Sequence, residues 1–141
     1  MNDKTAVLVA ACMSSFITPF LTSSVTVALP TINSDFSIAD QSLLGWIVTA
    51  FLLSAAVFIV PFGRVADIYG RRRIFLAGLL VVFISSLLCG ISSGAYMLIV
   101  SRMVEGVGSA MIFGTSIAIL SSVFPLRERG RVLGINVAAA Y

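Results

Sequence analysis

The chain has 141 residues, of which 59% are hydrophobic and 11% are charged, whereas soluble domains have roughly 45–50% apolar and about 25% charged residues. Because a soluble fold of this length could not bury so much apolar surface, the composition predicts a membrane protein. The net charge of +3 would suggest a nucleic-acid partner only in a soluble protein, and the absence of histidine excludes His-based catalysis and imidazole metal ligation. Several enzyme classes are thereby removed, and we expect neither an enzyme nor a cofactor.

Four apolar stretches are long enough to cross a bilayer, which takes about 20 mostly apolar residues in a helix. They run over 5–29, 44–62, 74–92 and 96–124. A fifth apolar run begins at 132 and is still too short to span at Tyr141. We therefore predict an all-α membrane protein with four complete transmembrane helices and the start of a fifth. Residues 1–141 are interpreted as the N-terminal part of something longer.

The N-terminus imitates a secretion signal, and the sequence from Val9 to Cys12 resembles a lipoprotein cleavage site. Only residues 5–8 separate Lys4 from the small residues, whereas a signal core has roughly 7–15 apolar residues. The sequence therefore favours an uncleaved first membrane helix.

Four hydroxyl residues of the first span recur at spacings of three and four, which places them on one helical face. They are Ser15, Thr18, Thr22 and Thr26. Such a face could line a polar substrate cavity. Alternatively, these hydroxyls could bond to carbonyls of their own helix, as Ser and Thr often do in membranes, and the sequence leaves both interpretations open.

Residues 63–73, GRVADIYGRRR, connect the second and third spans and contain four of the nine basic residues. So short a connection has no room for a nucleic-acid-binding module. Gly63 allows another backbone to come close, and Gly70 permits a turn with positive φ. Asp67 could pair with a neighbouring arginine. The spacing therefore indicates a connection that is held in one state and released in another.

The fourth span contains two features besides its apolar residues. Gly106, Ala110 and Gly114 recur at intervals of four residues, which predicts a ridge of small residues along which another helix can pack closely. Arg102 and Glu105 lie roughly 9 and 13 Å from the outer end of the span, where a charge costs about 2.5–3.5 kcal/mol. At a spacing of three they could form a structural ion pair, but such pairs can often be replaced by apolar residues. A proton or substrate site is therefore favoured.

Orientation follows from the basic residues, which are retained in cytoplasmic connections. The N-terminus and the connections expected on one side of the membrane contain eight Lys and Arg residues. The connections at 30–43 and 93–95, expected on the other side, contain none. The eight are Lys4, Arg64, Arg71, Arg72, Arg73, Arg127, Arg129 and Arg131. We expect a multi-pass protein of the cell membrane with a cytoplasmic N-terminus.

Several segments resemble signatures of the major facilitator superfamily. One is Gly63-x-x-x-Asp67-x-x-Gly70-Arg71-Arg72-Arg73, between the second and third spans. Others are Arg102-x-x-Glu105-Gly106-x-Gly108-x-Ala110 in the fourth span and the connection from Phe124 to Arg131. Val27-Ala28-Leu29-Pro30 and the segment from Trp46 to Phe51 are similar to the drug:proton antiporter branch, especially its 14-helix members.

The resemblance implies a secondary transporter of two six-helix halves that works by alternating access around a midplane site. Residues 1–141 would be the incomplete N-terminal half of such a transporter domain. The resemblance also implies residue roles. The cytoplasmic gate residues would be Gly63, Asp67, Gly70, Arg71 and Arg73. Arg102 would be a cavity residue that takes part in proton coupling.

Three positions depart from the family pattern. Ile68 stands where a basic residue is usual, so one gate contact would be missing. Glu105 replaces the usual glutamine and adds a titratable group, whereas Leu21 stands where the antiporter branch often has an aspartate. Glu105 therefore becomes the candidate proton carrier.

The sequence leads to the hypothesis of a proton-coupled exporter of multiple drugs or other small molecules, with the proton gradient as its energy source. Its partners would be the lipid bilayer, a small-molecule substrate and the missing C-terminal helices of the same transporter, with no nucleic acid. One alternative is a truncated, transport-inactive fragment, and another is a carrier for a solute such as a sugar or an organic anion. A dimeric four-helix exporter would need a carboxylate in its first span. Residues 5–29 contain none, which disfavours this alternative.

Overall fold

The computed structural model describes residues 3–36 and 41–140, and these residues form five α-helices and no strand. The helices are α1 (Asp3–Phe36), α2 (Gln41–Tyr69), α3 (Arg71–Gly90), α4 (Ala95–Val123) and α5 (Leu126–Ala140). The first four are long and apolar enough to cross a membrane. The prediction of an all-α protein with four such helices, followed along the chain by the start of a fifth, is therefore confirmed.

The helices are longer than several of the apolar stretches that predicted them. α1 continues through Pro30 to Phe36, and α2 continues from the predicted end at Phe62 to Tyr69. α5 begins at Leu126 rather than at Val132. Hydropathy marks only the apolar part of a helix, whereas the backbone hydrogen bonds continue into polar residues until a turn ends them. Residues 37–40 and Tyr141, which the predictions for the outer connection and the fifth run include, lie outside the described residues.

A single residue, Gly70, separates α2 from α3. Its φ is 101°, a conformation that favours glycine because it has no Cβ. The Gly70 amide donates to the Ala66 carbonyl at 3.0 Å, and the Gly70 carbonyl accepts from the amides of Arg73 and Ile74. Gly63 and Asp67 consequently lie in the last turns of α2, not in a loop, which corrects the expected boundary.

α4 is the central helix and packs against all four others. Its glycines set the distance to the neighbours. A Cβ on Gly106 would collide with Ser54 and the Phe51 carbonyl of α2, and one on Gly114 would lie 3.3 Å from the Ile59 carbonyl. Gly108 faces the other way, where a Cβ would lie 2.9 Å from Val82 of α3. Small residues therefore bring both α2 and α3 close to α4.

α5 folds back against the N-terminal half of α1. Their contact includes an apolar cluster with α4, formed by Ala11, Leu120, Phe124 and Val132. This cluster brings the start of α1, the end of α4 and the start of α5 to the same end of the bundle. We call this the basic end, because seven arginines lie in the last two turns of α2, the first turn of α3 and the first two turns of α5. They are Arg64, Arg71, Arg72, Arg73, Arg127, Arg129 and Arg131.

Candidate functional site

Arg102 and Glu105 form an ion pair inside the bundle. The Arg102 Nη1 donates to Glu105 Oε2 at 2.6 Å, and the two side chains are only 1% and 3% exposed. The contact forms because residues three apart lie on neighbouring turns of the same face of α4. Each charge offsets the other, which reduces the cost of holding both at this depth.

Neighbouring helices supply two further contacts to this pair. The Arg102 guanidinium carbon lies 5.0 Å from the centre of the Phe51 ring in α2, within the range of a cation–π contact. On the other side, Cys89 Sγ of α3 lies 4.0 Å from Glu105 Oε2. The ion pair is therefore held between α2 and α3. Helical spacing predicted the pair itself, but no sequence signal pointed to Phe51 or Cys89 as its neighbours.

The Arg102 guanidinium is incompletely satisfied. Its Nε and Nη2 atoms are buried and have no hydrogen-bond partner within the described ranges. Of its three nitrogen atoms, only Nη1 has an acceptor there, namely Glu105.

The predicted gate residues lie at the basic end of the bundle. Both Nε and Nη2 of Arg71 lie 3.0 Å from Asp67 Oδ1, and Arg71 Nη1 donates to the Ala118 carbonyl of α4 at 2.7 Å. One arginine therefore links α2, α3 and α4. Gly63 lies against Gly114 of α4, and Arg73 is exposed.

The four hydroxyls of α1 divide into two pairs. Ser15 and Thr18 are buried, and Ser15 Oγ donates to Asn136 Oδ1 of α5 at 3.1 Å. Thr22 and Thr26 instead donate to the carbonyls four residues earlier in their own helix. Thr26 is exposed, so the first two hydroxyls face the bundle and the last does not. Sequence reasoning assigned no role to Asn136, because the fifth apolar run was too short to interpret.

The ion pair and the gate contact are both on α4 but are far apart. Glu105 and Ala118 are separated by thirteen residues, or about 20 Å along the helix. α2, α3 and α4 each carry residues of both sites, so the two sites are connected through these three helices and their packing.

Comparison with known proteins identifies relatives among transporters. The chain is 34% identical to the riboflavin transporter RibZ of Clostridioides difficile, over 98% of this chain and 30% of that protein. It is 38% identical to the cephamycin export protein CmcT of Amycolatopsis lactamdurans, over 99% of this chain and 29% of that protein. The multidrug resistance protein Stp of Mycobacterium tuberculosis is 38% identical over 82% of this chain and 22% of its own length.

The chain thus spans less than a third of the length of these relatives. Their names describe transporters and not enzymes. The model of the Major Facilitator Superfamily matches residues 11–141, which include the ion pair, the gate residues and most of the four helices apolar enough to cross a membrane. This protein is a multi-pass membrane protein that belongs to the major facilitator superfamily.

Proposed function

We propose that the protein exports small organic molecules across the cell membrane in exchange for protons. The observation that carries this proposal is the buried Arg102–Glu105 pair. Charges deep in a membrane helix cost free energy, and a pair kept only for stability could usually be replaced by well-packed apolar residues. A carboxylate that alternates between its ionised and protonated forms would give the pair a function in proton transport.

In the proposed cycle, Glu105 is ionised while substrate is bound, and Arg102 neutralises it through the 2.6 Å contact. A proton that enters from outside protonates Glu105 and neutralises its charge, which weakens its contact with Arg102. Substrate is released in the same step. The proton then leaves on the inner side when the helices rearrange. Glu105 is therefore the proton carrier, Arg102 is its charge partner, and the proton gradient supplies the energy.

The contact of Arg71 with Asp67 and Ala118 is suited to a gate. Asp67 is 61% exposed and Arg71 is 38% exposed, and an ion pair in such surroundings contributes about 0–1 kcal/mol. An ion pair this weak can break and reform in each cycle. We place the basic end on the cytoplasmic side, because positively charged connections are retained there, and the N-terminus with it.

Alternating access requires a second set of helices that moves against the first. The relatives are more than three times as long as this chain, and we propose that the remaining helices of the same transporter supply the opposing half. The hydroxyls of Ser15 and Thr18 are buried in the bundle, and we propose that this polar face of α1 lies toward the substrate cavity. The names of two relatives, an export protein and a multidrug resistance protein, support export as the direction.

The proposal is tested with the full-length protein in proteoliposomes under an imposed proton gradient, with ethidium as the transported dye. We expect Glu105→Gln to abolish gradient-driven transport, because an amide cannot carry the proton, while ethidium exchange without a gradient continues. Glu128→Gln is the matched control, since Glu128 is exposed in the first turn of α5. Gradient-driven transport that survives Glu105→Gln unchanged would show that Glu105 is not the carrier.

A carrier for another solute is the second candidate function. Its supporting observation is the similarity to a riboflavin transporter over 98% of this chain. Riboflavin uptake and ethidium export can be measured in the same cells that express the full-length protein. Riboflavin accumulation without ethidium export would favour the second candidate.

A further inference from the structure

Arg102 has two hydrogen-bond donors that meet no acceptor in the part of the chain that the structure describes. These donors, Nε and Nη2, are buried, whereas Nη1 is held by Glu105 and the Phe51 ring lies beside the guanidinium. A buried donor on a charged group is costly when it is unpaired. An acceptor that reached these two atoms would therefore be bound strongly.

The two free donors share one edge of the guanidinium group. The N–H bond of Nε and one N–H bond of Nη2 point in nearly the same direction within the guanidinium plane. A carbonyl oxygen has two lone pairs and can accept both bonds. Because Glu105 contacts only Nη1, it fixes the orientation of Arg102 and leaves this edge free.

The charge balance of the site selects among acceptors. With Glu105 ionised, the pair carries no net charge, and an uncharged carbonyl group leaves that balance intact. A carboxylate would add an uncompensated negative charge in a buried site, which is costly. We propose that the Nε–Nη2 edge of Arg102 binds the carbonyl oxygen of an uncharged substrate, such as an amide, an ester or a ketone.

This inference rests on the proposed exporter function and explains how a proton would displace the substrate. Protonation of Glu105 weakens its hold on Nη1, so Arg102 is no longer fixed with its free edge toward the substrate. The side chain of Arg102 is only 1% exposed in this conformation. Substrate therefore reaches the edge in another arrangement of the helices, as alternating access requires.

The test compares two probes in proteoliposomes that contain the full-length protein: chloramphenicol, which is uncharged and has an amide carbonyl, and ethidium, a cation without a carbonyl. Arg102→Lys keeps a positive charge beside Glu105 but removes the two-donor edge. We expect it to raise the KM for chloramphenicol about tenfold or more, since a hydrogen bond to a charged group is lost. The KM for ethidium should rise by a smaller factor, because ethidium has no carbonyl oxygen for this edge to bind. Arg127→Lys, at an exposed position of α5, should change neither value.

A second measurement needs no variant at Arg102. Acetanilide and N-ethylaniline have similar shapes and are both uncharged at neutral pH, but only acetanilide has a carbonyl oxygen. In the unaltered protein, acetanilide should inhibit ethidium transport at a lower concentration than N-ethylaniline. Equal inhibition by the two compounds would overturn the inference.

The remaining outcomes separate the inference from the proposed function. Ethidium transport without chloramphenicol transport by the unaltered protein, or an equal effect of Arg102→Lys on both probes, would overturn the carbonyl site and leave the exporter function standing. Failure of the unaltered protein to move either probe under a proton gradient would overturn the exporter function and the inference with it.

Discussion

Arg71, the first residue of α3, donates a hydrogen bond of 2.7 Å from Nη1 to the backbone carbonyl of Ala118 in α4. The same side chain pairs with Asp67 of α2. The corner between α2 and α3 is therefore attached to the helix that also carries the buried ion pair. A movement of α4 would therefore displace both the corner and the ion pair, because packed helices move as rigid elements.

Asp67→Asn should slow turnover more than it weakens substrate binding. The carboxylate holds Arg71 in position to reach Ala118, and an amide binds an arginine less strongly than a carboxylate does. Turnover and equilibrium binding of ethidium, measured on the full-length protein, separate the two effects. Asp35→Asn, at an exposed position near the end of α1, is the matched control. Unchanged turnover together with unchanged binding would refute the gate role.

Gly70→Ala should destabilise the corner by about 1–2 kcal/mol, because a side chain is strained at positive φ. Gly70 has a φ of 101°, but a Cβ at this position would meet no atom within 4 Å, so the effect would come from the backbone alone. Gly70→Asn should destabilise the corner to a similar extent, because the ψ of Gly70 is 122°, outside the left-handed helical region in which asparagine is tolerated. Thermal unfolding of the purified protein in detergent measures both changes, and a variant as stable as the unaltered protein would contradict the strain at Gly70.

Gly106→Ala should destabilise the contact between α2 and α4 by about 1–3 kcal/mol, as overpacking does in other close-packed interiors. The added methyl group would collide with Ser54 and the backbone of Phe51. Gly45→Ala is the control, because a Cβ at Gly45 in α2 meets no atom within 4 Å. The free energies of unfolding of both variants can be compared in the same detergent, and a loss of similar size in the two would argue against close packing at Gly106.

The hydrogen bond from Ser15 to Asn136 should contribute about 0.6 kcal/mol, the average for interhelical hydrogen bonds in membranes. A double-mutant cycle with Ser15→Ala and Asn136→Ala isolates the contribution of this contact between α1 and α5. Ser122→Ala serves as the control, since its hydroxyl is exposed and bonds only within α4. Strictly additive effects of the two substitutions would mean that the bond does not stabilise the protein.

Much of the fold was predictable, because the backbone of a long apolar stretch in a membrane must satisfy its own hydrogen bonds, and a helix does so within one segment. The ends of the helices were less predictable. Gly63 and Asp67 were expected in a connection and lie in α2, since polar residues carry no hydropathy signal even when they continue a helix. Gly70 was recognisable as a turn, because a glycine between two helical segments permits the positive φ that is observed.

The candidate site was predictable only where its residues are close in sequence. Arg102 and Glu105 are three residues apart, so helical geometry placed them together. Phe51, Cys89 and Asn136 belong to other helices, and their positions beside the site residues depend on how α2, α3 and α5 pack. Composition and spacing within one segment contain no information about such contacts.

The most direct measurement is of proton movement coupled to substrate. The full-length protein would be reconstituted in vesicles that enclose a pH-sensitive dye, and ethidium would be added without an imposed gradient. We expect a proton flux opposite in direction to ethidium in the unaltered protein and in Glu128→Gln, and none in Glu105→Gln. Ethidium movement without proton flux in the unaltered protein, or an undiminished proton flux in Glu105→Gln, would contradict the role of Glu105 as proton carrier.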